Sequence, residues 1–353
     1  MLKRTDEARP LAAGLHEDVG GPAQPLLIVE GLTKHFHIRG GVTGRSAGKV
    51  HAVDDVSFTV GKGEVLGVVG ESGCGKSTTA RLLMHLIKPD SGDMIFDGEL
   101  VGGALSVAGM RRKMQMVFQD SHASLNPRLT VGECIGFAPR MHGMPAAKVR
   151  AKVFELLEMV GLDARLFANR YPHELSGGQR QRVNIARALA LEPRLLILDE
   201  SVSALDKSVE AQILNLLAQL KEQLDLTYIF ISHDLNVIEY ISDRIMVMYL
   251  GQVVEEGTVD AVYGNPTHPY TRALLSSKPS LDPRRRTLEA PISGDPPNPI
   301  NPPSGCRFRT RCAFAEAVCA SVVPPLSPIA ASGNHAAACL MVQPGFGHSG
   351  ATQ

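Results

Sequence analysis

With 353 residues the chain is long enough to bury a large core and to form about two domains. Its 36 basic and 36 acidic residues cancel, which excludes a whole-chain field that would draw it to nucleic acid or anionic lipid. Apolar runs such as Leu195-Leu196-Ile197-Leu198 have strand length and none approaches the roughly 18 residues of a membrane helix, so any membrane link must come from docking.

Residues 1–25 start basic, turn acidic at Asp6 and Glu7 and become Gly- and Pro-rich without an apolar signal core, so a disordered tail is expected. Residues 26–29 read as a strand, 39–48 as an exposed Gly-rich loop and 56–60 as the next strand. From residue 64 to 234 the pattern repeats strand, turn, helix: residues 65–69 lead into a helix from Lys76, and a helix over 179–191 precedes a strand at 195–198. Such alternation predicts an α/β fold with a mainly parallel sheet covered by helices. Between about residues 120 and 178 helical periodicity takes over at Val149, Val153, Leu156, Leu157 and Val160, which predicts an inserted helical subdomain. Proline becomes frequent after Gly264, with five in residues 295–303, marking a passage into a smaller, irregular module. The expected organisation is a main domain over 26–262, a C-terminal module over 263–345 and a short tail over 346–353.

Gly70-Glu71-Ser72-Gly73-Cys74-Gly75-Lys76-Ser77 matches the phosphate-loop pattern and lies between a strand and a helix, where that pattern has its chemical meaning. The glycines let backbone N–H groups curl around phosphates, the helix start adds a positive dipole end, and Lys76 brings a cation. Ser77 is the natural Mg²⁺ ligand, with Thr78 following it into the helix. Cys74 occupies a variable position and, lying beside phosphate, is expected to be sensitive to alkylation. Downstream, the strand 195–198 emerges in Asp199 and Glu200, the pair that Mg²⁺-nucleotide hydrolysis needs: Asp199 for the metal shell, Glu200 to polarise the attacking water.

Leu175-Ser176-Gly177-Gly178-Gln179 precedes Asp199 and resembles the signature motif of ABC ATPases. With Gln119 after Val117-Phe118, Ser203-Ala204-Leu205-Asp206 after the acidic strand and His233 in Ile231-Ser232-His233-Asp234, the order of motifs resembles ABC transporter ATPases over about residues 26–257. The resemblance implies an ABC ATPase core with an antiparallel β part, and two subunits packed head to tail, each signature capping the ATP of the other. It implies that Gln119 contacts Mg²⁺, that Asp206 ties the two sites together and that His233 holds the γ-phosphate. Ser176, Gly177, Gly178 and Gln179 then serve the partner's nucleotide, and Phe36 is a candidate for stacking on adenine. The family usually has proline after the glutamate; this chain has Ser201.

Ser124-Leu125-Asn126-Pro127-Arg128, Tyr171-Pro172-His173-Glu174 and Asn265-Pro266-Thr267-His268-Pro269-Tyr270-Thr271 resemble oligopeptide and dipeptide importer ATPases. The last segment reads as a turn before a helix, a label of the branch without chemistry of its own. Cys306, Cys312, Cys319 and Cys339 cluster in the C-terminal module, with five, six and nineteen residues between them. Zinc sites begin with tighter pairs and cytosolic disulfides are rare, so an iron–sulfur cluster leads, with zinc and unliganded thiols left open. The resemblance extends here, since some peptide-importer ATPases carry a [4Fe–4S] cluster in this region.

The implied partners are a homologous ATPase subunit (heterodimer favoured, homodimer open), two permease subunits and an extracytoplasmic peptide-binding protein, with no nucleic acid. The implied place is peripheral, on the cytoplasmic face of the membrane, with Arg128 a candidate permease contact. A soluble ABC ATPase of DNA repair or translation fits less well: Asp199 follows Lys76 by 123 residues without sustained heptads, and only one cassette is present. A non-hydrolytic ATP-sensing subunit is the remaining alternative, motivated by Ser201.

Overall fold

The computed structural model describes residues 18–39, 46–121, 123–277, 294–295, 297–329 and 334–351. Strands β1 (Leu27–Arg39) and β2 (Ser46–Val60) pair antiparallel and are followed by β3 (Val65–Val69) and helix α1 (Lys76–Leu83). β4 (Ser91–Phe96) and β5 (Glu99–Leu100) complete a four-stranded antiparallel sheet in the order β2-β1-β4-β5. The chain continues through α2 (Val107–Lys113) and β6 (Met114–Val117) into α3 (Val131–Met141), α4 (Ala146–Met159) and α5 (Ala164–Phe167), the helical insertion.

It returns through α6 (Gly177–Leu189), β7 (Leu195–Asp199), α7 (Lys207–Leu224), β8 (Thr227–Ile231), α8 (Leu235–Ile241), β9 (Arg244–Tyr249) and β10 (Gln252–Thr258). Helices α9 (Val259–Gly264), α10 (Pro269–Ser276) and α11 (Val318–Ser321) and the short strands β11 (Ser327–Pro328) and β12 (His335–Ala337) follow. The second sheet runs β11-β12-β10-β9-β3-β8-β7-β6, parallel from β9 to β6 and antiparallel beyond.

The parallel strands are apolar on both faces because both faces are covered. Val65 and Val69 join Leu196, Leu198, Tyr228 and Phe230 in a core shared with the helical insertion. Leu66 and Val68, with Leu195, Ile197, Ile229 and Ile231, face the antiparallel sheet in a second core. In the insertion, Val149, Val153, Leu156 and Leu157 form the buried face of α4, as their spacing predicts.

Several boundaries differ from the sequence reading. β1 and β2 run on to Arg39 and back to Ser46, so most of the expected 39–48 loop outside residues 40–45 is paired strand, with Ile38 opposite Gly48. Of the expected N-terminal tail, residues 1–17 lie outside the described residues, while Val19 and Gly20 donate their N–H groups to the buried Asp97 carboxylate. Asp97 also takes Arg194, a second reason for this end to dock. At the other terminus His348 meets the Phe314 carbonyl, so residues 346–351 pack on the chain.

The expected division at 262/263 falls inside α9, and the sheet does not respect it. β12 pairs with β10, and the fully buried Glu255 on β10 joins three segments. Its carboxylate accepts the N–H groups of Thr267 (2.7 Å) and His268 (2.8 Å) and meets His335 Nε2 at 2.7 Å. Burial lowers the His268 pKa to about 4, so its ring is neutral and Nδ1 accepts the Tyr270 N–H, capping α10. Glu255→Ala should strand these donors in the core and cost about 3 kcal/mol, read as a lower denaturation midpoint.

Candidate nucleotide site

The loop between β3 and α1 is shaped by glycines at positive φ: Gly70 at 148° and Gly75 at 115°. A Cβ at Gly70 would collide with the Met248 carbonyl oxygen, and one at Gly75 with that of Ala52. Lys76, 5% exposed, turns its ammonium back to the carbonyls of Gly70 (2.7 Å) and Glu71 (3.1 Å). Ser77 donates from Oγ to Asp199 Oδ1 at 3.0 Å, which brings the two expected metal ligands into direct contact. Burial pushes the Asp199 carboxyl above its usual pKa and the neighbouring Glu200 adds to the rise, with the Ser77 hydrogen bond, Arg81 and Lys76 opposing. Thr78 follows on α1.

Glu200 sits just past β7 in the left-handed region, φ 46°, with its N–H bonded to the Ile231 carbonyl of β8. That turn aims its carboxylate sideways along the sheet edge, where Gln119 Nε2 donates to Oε2 at 2.7 Å and His233 Nδ1 stands 3.4 Å from the same oxygen. Three strand ends, those of β6, β7 and β8, therefore contribute to one cluster. Ser201 is 4% exposed and its hydroxyl has no hydrogen-bond partner among the described residues.

Cys74 is 3% exposed and burial raises its thiol pKa, with Lys76 opposing, so it is a protonated, inaccessible thiol. The expected alkylation sensitivity is corrected by this burial. Phe36 is 38% exposed on β1, opposite Val50, two residues from the Ala52 carbonyl that packs on Gly75. An accessible aromatic face thus lies one rung from the strand segment touching the loop.

Ser176 caps α6 in a closed pair: its Oγ accepts the Gln179 N–H (3.3 Å), and Gln179 Oε1 accepts the Ser176 N–H (3.0 Å). The N–H groups of Gly177 and Gly178 remain at the helix start, whose close approach to α7 leaves no room for a Cβ at Gly178 beside Val209. Asp206 is the N-cap of α7, exposed, and makes no side-chain cap bond. These residues form a second surface of the same chain.

Cys306, Cys312, Cys319 and Cys339 are free thiols lining one cavity with Phe308 and His348. Burial lifts Cys306 to about 11 and Cys339 to about 12, so these thiols are protonated at neutral pH without a cation. Among the described residues no three of these sulfurs lie within 4.8 Å of one another; His35, His51 and Asp54 alone meet that spacing. Asp54 already pairs with Arg307, which makes that triad an ion-pair network.

The sequence reading missed Tyr270 and Arg311. It treated His268-Pro269-Tyr270 as a label, yet the Tyr270 hydroxyl accepts the Glu71 N–H at 2.8 Å, inside the phosphate loop. Arg311 forms a two-pronged pair with the Glu71 carboxylate at 2.8 and 3.0 Å. Its only signal was an arginine beside Cys312, which no motif singles out.

The family model described as ABC transporter matches residues 53–203, and that described as oligopeptide/dipeptide transporter, C-terminal region, matches 254–319. The "Probable peptide ABC transporter ATP-binding protein y4tS" of Sinorhizobium fredii is 52% identical over 86% of this chain and 87% of its own length. The "Oligopeptide transport ATP-binding protein OppF" of Escherichia coli is 49% identical over 90% and 97%. A solved dimer of the ATP-binding cassette MJ0796 bound to ADP and Pi is similar at a TM-score of 0.58 and 32% identity, over 66% of this chain and 98% of that one. The chain belongs to the ATP-binding subunits of ABC transporters, in the oligopeptide/dipeptide transporter family.

Proposed function

We propose that this chain is the ATP-hydrolysing subunit of an ABC importer for peptides, acting at the cytoplasmic face of the membrane. No helix among the described residues is long and apolar enough to cross a membrane, so the reading places it peripherally, against permease subunits served by an extracytoplasmic peptide-binding protein. The observation that carries the reading is the single cluster of Lys76, Ser77, Asp199, Gln119, Glu200 and His233 at one sheet edge. The relatives' names and the match to the peptide-transporter C-terminal region support the cargo class.

In this mechanism the loop amides from Gly73 to Thr78 cradle phosphate oxygens, and Lys76 swings from the Gly70 and Glu71 carbonyls to meet them. Ser77, Asp199 and Gln119 would hold Mg²⁺, which would supply charge neutralisation for the phosphates, and the buried Asp199 carboxylate in contact with Ser77 Oγ fits such an ion. Gln119 donates from Nε2 to Glu200 and would offer Oε1 to the metal, and Glu200 is placed to orient and polarise the attacking water. His233, with Nδ1 3.4 Å from the Glu200 carboxylate, supports the γ-phosphate, and Phe36 stacks on adenine.

The second surface serves a neighbour: Ser176, Gly177, Gly178 and Gln179 cap the γ-phosphate held by a homologous, preferably distinct, ATPase subunit, and Asp206 links the two sites. Support comes from the ready helix start at Ser176 and from the dimeric MJ0796 relative.

We also propose that Cys306, Cys312, Cys319 and Cys339 ligate a [4Fe–4S] cluster. The shared cavity supports convergence. Anaerobically purified protein should hold about four iron and four sulfide per chain; one zinc per chain would end this reading.

In the assembled complex, Glu200→Gln should lower ATP turnover by at least about 100-fold while ATP still binds. Unchanged turnover would falsify its role. Ser201→Ala removes a buried hydroxyl without a partner and should leave turnover intact while raising stability by about 1 kcal/mol, measured by equilibrium unfolding.

A further inference from the structure

In the phosphate loop, each polar group of Glu71 is held by a partner. Its N–H donates to the Tyr270 hydroxyl at 2.8 Å. Its carbonyl accepts from Lys76 Nζ at 3.1 Å and from the Cys74 N–H at 3.2 Å. Its carboxylate receives Arg311 through Nη1 to Oε2 at 2.8 Å and Nη2 to Oε1 at 3.0 Å. The Arg311 side chain is 6% exposed and that of Glu71 25%, so the pair is half-buried, with the guanidinium on its inner side.

Arg311 belongs to the segment between Cys306 and Cys312, and that segment grips the ATPase core at three points. Arg307 reaches the Asp54 carboxylate on β2 and the Leu250 carbonyl. Phe308 fills a space between Tyr249, edge-on at 5.3 Å, and Tyr270 at 5.4 Å. The Arg311 N–H bonds to the Phe308 carbonyl at 2.9 Å, so seating Phe308 aims the guanidinium at Glu71.

We propose that Arg311 is a positioning residue for nucleotide, acting through Glu71 to hold the phosphate loop in its binding shape, so that ATP affinity depends on the seating of segment 306–312. The inference rests on the nucleotide reading above. Two effects run in the same direction. A loop with glycines at positive φ loses much backbone freedom when its amides align, and a fixed tether at Glu71 removes part of that cost from nucleotide binding. Arg311 also neutralises a carboxylate that would otherwise repel triphosphate.

The test is a double-mutant cycle in the full chain within its complex, reading ATP and ADP dissociation constants with KM and kcat. Arg311→Ala should weaken ATP binding by about tenfold and raise KM more than it lowers kcat. Arg311→Lys, which keeps the charge but loses the fork, should fall between. Glu71→Gln should weaken binding on its own yet cause no further loss in the Arg311→Ala background, where the tether is already gone and the substitution instead removes the unpaired charge that repels triphosphate. A purely structural role would instead reduce the active fraction and kcat at constant KM, and would overturn the proposal. Equal ATP affinity of the unsubstituted chain and a folded Arg311→Ala or Arg311→Lys variant would overturn it too. Failure of the unsubstituted chain to bind ATP would instead remove the nucleotide reading itself.

Discussion

The parallel register of β3, β8, β7 and β6 is the constraint on which the site depends. Val68 and Asp199 both pair with Ile231, and Val117 pairs with Leu198, so the strands finish along one line. Parallel strands deliver their carboxyl ends to the same edge, and the phosphate loop, the acidic pair, the glutamine and the histidine all leave from there. A slip of one residue would exchange the two apolar faces of a strand and carry Asp199 away from Ser77. Core packing and catalytic geometry are thus fixed together: alternating residues of β7 fill both cores, and the next residues of the same strand make the site.

Much of the site was legible because its elements are short-range patterns. The phosphate loop, Asp199 with Glu200, and the capping Ser176 with Gln179 each fall within a few residues whose local geometry their side chains dictate. Helix α4 was legible from its period, though α6 starts two residues earlier than expected because Ser176 closes a capping box. The strands β1 and β2 were underread, since His, Lys and Gly in their outer halves hide the alternation that sheet pairing nevertheless supports.

What stayed hidden is non-local. Arg311 and Glu71 are 240 residues apart, and Arg307 and Asp54 253 apart, and no composition or period predicts that an arginine near a cysteine will meet a loop near the start of the chain. The reactivity of Cys74 was misread for the same reason: the burial that leaves it 3% exposed is a tertiary property, invisible in a sequence that places it near Lys76. The module expected as an appendage instead extends the main sheet through β12 and supplies partners to buried groups of the core.

That extension has a consequence for the order in which the molecule can be made. β12 lies at residues 335–337, and its antiparallel partner β10 is finished some eighty residues earlier. A nascent chain that has not reached His335 carries β10 as an open edge strand, with Glu255 lacking one of its partners. Folding from the amino end can assemble the parallel strands and the phosphate loop, but the far side of the sheet closes only once Ala337 has been made. A message cut short between the codons for Thr258 and His335 therefore yields a chain with every nucleotide motif present and an unpaired strand edge available for aggregation.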